Sequence, residues 1–216
     1  ESQNSLVPYS VFSHFVGSDS SGFDDFTHTQ AALFKQAADE LQAGFEHHII
    51  RHICNSAGIE RFPQYHNDMV RLGLGLYGIS PLDNSPLSNV FTLKTTILQI
   101  RTLEPSETVG YSRRGVLKRT SRIAAIPIGY ADGLDRHLGN GHAYCLVGGQ
   151  KAWYVGNICM DVCMIDVTGI DCQEGDKVEI FGPNLPVSML SDELGTIPYE
   201  IISTISTRVK RIYYTE

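Results

Sequence analysis

Long apolar runs are missing from this 216-residue sequence: none approaches the roughly 18–20 residues needed to cross a bilayer, which argues against a helical membrane anchor. Positive charge is scarce as well. Seventeen Lys and Arg face 24 Asp and Glu, a formal net charge of −7, which argues against sequence-independent nucleic-acid binding because that needs a basic surface. The five cysteines (Cys54, Cys145, Cys159, Cys163 and Cys172) are odd in number and form no C-x-x-C, so free thiols in a reducing cytoplasm are expected. Cys159 and Cys163, in an apolar stretch, read as small buried hydrophobes. No metal site is expected: His47, His48 and His52 crowd one strand-like run without a cysteine pair at zinc spacing. The sequence opens at Glu1 with no methionine, basic region or apolar core, which reads as the absence of a signal peptide and as a cut edge. Internal repeats and low-complexity tracts are absent too.

What is present suits a soluble globular chain, with 42% hydrophobic and 19% charged residues. Tyr9 to Phe15 reads as a short buried strand, followed by a Gly/Ser/Asp-rich loop from Gly17 to Asp25. Thr29 to Ala43 carries Ala32, Leu33, Ala37, Ala38 and Leu41 at helical spacing. His47 to Cys54 and the Gly/Leu-rich Asp68 to Gly78 supply further strand-like runs, the rhythm of β/α units in a parallel sheet. Two prolines in Ser80 to Ser88 suggest a boundary, giving domains at 1–85 and 86–216. Beyond it the pattern is almost all β. Val90 to Leu103 alternates, with Phe91, Leu93 and Ile97 on one face, and Arg122 to Ile128 follows as a buried strand. Tyr144 to Val155 reads as a hairpin turning at Gly148-Gly149; Ile158 to Val167, Lys177 to Phe181 and Thr207 to Tyr214 add strands. Three β/α strands cannot close a barrel, and so small an open parallel sheet would expose edges; the end of a longer fold is the expected reading.

Four motifs then stand in order. Val70-Arg71-Leu72-Gly73-Leu74-Gly75-Leu76-Tyr77-Gly78 and Ile126-Pro127-Ile128-Gly129-Tyr130-Ala131-Asp132-Gly133 both resemble segments of alanine racemases. Val155-Gly156-Asn157-Ile158-Cys159-Met160-Asp161 is similar to that family's Val-Gly-Arg-x-Cys-Met-Asp, with Asn157 where many members carry arginine. Gly195-Thr196-Ile197-Pro198-Tyr199-Glu200 is similar to its Thr-x-Asn-Tyr-Glu. The resemblance runs from His14 to Arg208. It implies an α/β plus all-β architecture: the last three strands of a (β/α)8 TIM-type barrel, then the family's C-terminal β-barrel-like domain. The early Val-Lys-Ala-Asn-x-Tyr-Gly motif, whose lysine binds pyridoxal 5'-phosphate covalently, is absent, and the six lysines at 35, 94, 118, 151, 177 and 210 lie in unrelated contexts.

Roles follow from the resemblance, residue by residue. Ser56 after Asn55, with Gly73, Leu74 and the hydroxyl of Tyr199, would hold the cofactor phosphate, as βα loops of barrels commonly do. Arg71, held through His52, would face the pyridine nitrogen; arginine only donates and stays charged, which weakens the ring as an electron sink and suits a racemase. A decarboxylase of related architecture would be expected to place a carboxylate there. His14 would lie near the cofactor ring. Tyr111 corresponds to the second catalytic base, serving one face of the substrate while the missing lysine serves the other. Tyr130 and the backbone N–H of Met160, with Asp161 beside it, would bind the substrate carboxylate, and Asp19 and Arg136 would stand at the entrance. Taken singly, these residues have plainer readings: Ser56 a helix cap, Arg71 a surface ion pair, His14 a satisfied core histidine, Tyr111 a packing residue.

The resemblance thus implies interconversion of L- and D-alanine for peptidoglycan synthesis, in a cytoplasmic homodimer whose β domain completes the partner's site. Lacking the lysine, this chain alone is expected to be inactive. The alternatives are a non-catalytic phosphate-binding or assembly module, a pyridoxal phosphate decarboxylase, and part of a longer ligase–racemase.

Overall fold

The computed structural model describes residues 5–214 and divides the chain into two compact units between Ser88 and Asn89. In the first unit two short strands, β1 (Ser10–Phe12) and β2 (Ile50–His52), pair in parallel with Val11 opposite Arg51. The helix α1 (Asp24–Gln42) crosses between them, and α2 (Ser56–Arg61) follows β2. Asp24 and Asp25 open α1, where carboxylates complement the helix dipole. Its buried face is Thr27, Ala31, Phe34 and Ala38, at intervals of four, three and four. The expected stripe was set slightly off: Leu33 is exposed, because one residue further along turns the side chain about 100° and it is Phe34 that meets the core. Phe15, Ala31, Phe34, Ala38, Ile53 and Cys54 form that core.

The third expected barrel strand is corrected. Residues 69–73 are irregular and Leu74–Tyr77 is a 3₁₀ turn. The outward edge of β2 is already used at Arg51, whose N–H donates to the Asp68 carboxylate (2.8 Å) and whose carbonyl accepts from Asp68 and Met69 N–H. Arg71 N–H then donates to the carbonyl of Cys54. The segment therefore lies beside β2 without a ladder, and no closed barrel is formed among the described residues.

The second unit contains two antiparallel sheets. One orders β10 (Cys163–Asp166), β7 (Ser121–Ile126) and β4 (Gln99–Leu103); the other orders β3 (Leu93–Thr96), β11 (Lys177–Phe181), β8 (Tyr144–Val147) and β9 (Gln150–Trp153). A two-stranded ribbon joins β5 (Thr108–Val109) to β6 (Gly115–Val116). The run 90–103, expected as one strand, breaks at Ile97-Leu98 and serves both sheets: Leu98 N–H leaves for Ala125 while Ile97 bonds to residues 175 and 176. The hairpin turns at Gly148-Gly149, both with positive φ. No strand forms at 207–214; Tyr213 and Tyr214 are 87% and 85% exposed, with no ladder to join. Two helices missed by the sequence reading, α3 (Ser188–Leu194) and α4 (Pro198–Thr204), pack together at the end of the unit. Cys145 and Cys163 are buried, and burial pushes the Cys145 thiol up to about 12 and Cys163 up likewise; Cys159 is only half-buried.

Candidate active site

In the first unit the residues that leave the C-terminal ends of β1 and β2 converge on one guanidinium. Arg71 Nη2 donates to the carbonyls of Ser13 (2.7 Å) and Ile53 (3.2 Å) and to His14 Nδ1 (3.2 Å). Its Nη1 donates to His52 Nδ1 (2.6 Å) and to the His52 carbonyl. Phe12 adds a face, 5.6 Å from the guanidinium carbon and stacked on His52 at 5.3 Å. The His52 carbonyl also accepts from Ser13 N–H, but those of Ser13 and Ile53, past the strand ends, have no ladder partner, and a permanent multi-donor cation satisfies both. Since Arg71 can only donate, the proton of His52 sits on Nε2. Burial, and then the Arg71 charge, lower the His52 pKa from its usual 6.5.

Beside this cluster Asn55 caps α2, accepting from Gly58 N–H (2.9 Å) and, on the same oxygen, from the Ser18 hydroxyl. Ser56 is therefore not the cap. It is buried, and its Oγ accepts from Gly73 N–H at 2.8 Å, which leaves that hydroxyl its single proton to donate. Gly73 enters the 3₁₀ turn that buries Leu74. Asp19, the residue after Ser18, is exposed. The structure thus gathers His14, His52, Asn55, Ser56, Arg71 and Gly73 in one neighbourhood.

In the second unit Tyr111 opens a tight turn after Gly110, whose φ is 76°, and Ser112 and Arg113 also adopt left-handed φ of 59° and 53°. Such angles cost non-glycine residues of order 1–3 kcal/mol each and persist only where surroundings impose them. Here Asn157, buried, donates from Nδ2 to the Tyr111 carbonyl (3.2 Å) and accepts from Asn140 Nδ2 (3.0 Å). The Tyr111 ring is left 72% exposed. Asn157, at the position of the expected arginine, thus has a backbone-clamping use.

Tyr130 and Met160 meet through their main chains. Tyr130 N–H donates to the Cys159 carbonyl and Ala131 N–H to that of Met160, both at 3.0 Å. Gly129 makes this crossing possible: a Cβ there would lie 2.3 Å from the Cys159 oxygen and 2.4 Å from that of Met160. Asp132 folds the turn back by accepting from Gly129 N–H (2.8 Å). Arg208 then bridges Asp132 (2.7 Å) and Asp161 (2.7 Å), and those two carboxylates hold its charge firmly on. Ser206 N–H donates to the Asp132 carbonyl, so the chain leaving α4 is tied to the same knot. Tyr199, following the Pro198 that starts α4, is partly exposed, and Thr196 Oγ1 donates to Glu200. Arg136 is exposed on a turn capped by Asp135. The sequence reading missed Asp132 and Arg208. The signal for Asp132 was its place three residues after Gly129, a helical-turn capping distance.

A parallel β/α unit with a cationic cluster at its strand ends, and an antiparallel β unit presenting exposed tyrosines, define a chain of two dissimilar parts. A family model described as "Alanine racemase, N-terminal domain" matches residues 1–81, and "Alanine racemase, C-terminal domain" matches 90–213. Alanine racemase 1 of Clostridium acetobutylicum is 38% identical over 97% of this chain and 56% of its own length. Alanine racemase of Desulfovibrio desulfuricans is 39% identical over 94% and 56%. Among solved structures, the alanine racemase of Clostridium difficile 630 superposes with a TM-score of 0.87 at 35% identity, over 95% of this chain and 55% of that one. Alanine racemase from Bartonella henselae with covalently bound pyridoxal phosphate gives 0.83 at 33% identity, over 95% and 56%. The chain belongs to the alanine racemase family. It spans just over half the length of the relatives it matches.

Proposed function

We propose that this chain supplies the C-terminal portion of an alanine racemase that binds pyridoxal phosphate and interconverts L- and D-alanine for peptidoglycan synthesis. In this reading residues 1–85 belong to the barrel and 86–216 to the β domain, and the assembly is a cytoplasmic homodimer with composite sites. The observation that carries it is the Arg71 cluster, a fixed cation whose donors are set by three carbonyls and two imidazoles at strand ends. The residues suit the cofactor. Ser56 offers a hydroxyl proton to a phosphate with the main chain of Gly73 beside it, and the family resemblance would add Leu74 and the phenol of Tyr199. Arg71 offers a donor to the ring nitrogen and cannot surrender a proton to it.

When bound, the cofactor withdraws electrons from the amino acid and makes its Cα–H acidic. Everything else falls to side chains. Tyr111 takes or returns the Cα proton on one face, and its strained turn, clamped by Asn157, holds the backbone from which the phenol projects. The other face needs a base from outside this sequence. Tyr130 and the Met160 N–H bind the substrate carboxylate, with the Asp132–Arg208–Asp161 bridge holding both in register. By the resemblance, His14 would lie by the ring, and Asp19 and Arg136 would stand at the entrance. The test is a complementation assay: the chain joined to the lysine-bearing half of a relative should racemise alanine. Tyr111→Phe in that protein should lower kcat by about a hundredfold or more, the usual size of a lost acid–base group. Unchanged kcat in the variant would remove Tyr111 from its role.

A further inference from the structure

An open cleft of about 460 Å³ lies in the second unit, lined chiefly by His142, Tyr144, Trp153, Met189, Asp192 and Glu193. None of these residues has a part in the proposed reaction. One side of the lining is aromatic: Tyr144 and Trp153 are cross-strand partners on β8 and β9, ring centroids 5.0 Å apart and inclined at 62°. Trp153 remains 44% exposed. The other side is the last turn of α3, which carries Asp192 and Glu193 and no basic residue. Two of the protein's own basic groups already lean toward this lining. His142 Nδ1 is 3.4 Å from Glu193 Oε1, and Lys151 Nζ lies 4.4 Å from the Tyr144 centroid.

Aromatic faces and carboxylates attract the same partner for different reasons, the first through the ring quadrupole and the second through charge. An anion would be repelled by Asp192 and Glu193. A neutral apolar molecule would leave their attraction unused, and a small inorganic cation would gain little from Trp153 and Met189. We propose that this cleft binds a small organic ammonium ion, its methyl or methylene groups against Trp153, Tyr144 and Met189 and its charge toward Asp192 and Glu193.

Trp153 is the sole tryptophan of the sequence, so the site carries its own probe. Choline chloride titrated against sodium chloride at equal ionic strength, at about pH 8, should change the fluorescence saturably. The expected dissociation constant is on the order of 1 mM, in keeping with so small a ligand in an open site. The neutral carbon isostere of choline should bind at least about tenfold more weakly, and so should choline to the Asp192→Asn, Glu193→Gln double variant, whose circular dichroism should match the parent. Tyr144→Leu, read in the same way, should weaken choline severalfold. No saturable change, equal binding of the isostere, or equal binding by the correctly folded double variant would each overturn the proposal.

Discussion

Replacing Gly129 by alanine tests whether the Tyr130–Met160 crossing is as tight as it looks. The backbone angles at Gly129, φ −151° and ψ −167°, are extended and open to any residue, so the whole cost is steric. A Cβ would sit 2.3 Å from the carbonyl oxygen of Cys159, against an ordinary carbon–oxygen contact of about 3.3 Å. The two segments must part by about 1 Å. That removes the hydrogen bonds from Tyr130 and Ala131, worth about 1 kcal/mol each net, and adds overpacking strain of about 1–3 kcal/mol. A total near 4 kcal/mol is a large share of a domain's stability and corresponds to a fall in Tm of about 10 °C. Gly169→Ala is the control. Its φ is +82° and nothing lies within 4 Å of the added Cβ, so it bears only the left-handed backbone cost of about 1–2 kcal/mol. Thermal denaturation followed by far-ultraviolet circular dichroism should therefore rank Gly129→Ala well below Gly169→Ala. A Gly129→Ala protein melting within about 2 °C of the parent, or the reverse order, would refute the steric reasoning.

Other consequences are equally open to measurement. Arg71→Met strands the carbonyls of Ser13 and Ile53 and should cost about 2–4 kcal/mol in urea denaturation, with Arg71→Lys intermediate; a loss below about 0.5 kcal/mol would mean the cluster is not structural. His52 binds a proton less readily folded than unfolded, so its contribution is complete above 6.5 and is lost as pH falls below that value. The urea midpoint should accordingly decline between about pH 7 and about pH 5, and His52→Gln should flatten that decline; an identical slope in the variant would count against the assignment. Tyr154 is fully buried, and its hydroxyl has only the thiol of Cys145, a weak partner, beside it, so Tyr154→Phe should be near neutral, within about 1 kcal/mol of the parent. A marked loss of stability would show the hydroxyl to be bonded.

Where the local rules act alone, the fold was readable. The Gly148-Gly149 hairpin needs two left-handed residues and glycine supplies them, and the apolar spacing over 29–43 read as a helix, which the structure begins five residues earlier, at Asp24. What escaped were decisions made by distant partners. Residues 68–78 have strand composition, yet Asp68 takes the Arg51 amide that a ladder would use. The alternating run 90–103 gives no hint that Leu98 must turn toward Ala125 in another sheet. At the site, Arg71 was legible through the motif that contains it, and His52 and Ser56 through their place in and just after the 47–54 run. Asp132 and Arg208 were missed: the capping distance from Gly129 marks Asp132, but an ion pair between residues 76 apart leaves no local pattern for Arg208. Asn157 was read as a departure from its family, and its clamp on Tyr111 appears only once the two loops are brought together.

The proposed function gives this chain one base and much of the cofactor cradle of an alanine racemase but not the covalent lysine. It is tested most directly by following L- to D-alanine conversion with added pyridoxal phosphate, first for the 216-residue chain and then for the chain joined to a lysine-bearing N-terminal half. The first should give no conversion and the second should convert. Racemisation by the 216-residue chain alone would contradict it, as would a folded, cofactor-loaded fusion that leaves L-alanine unchanged.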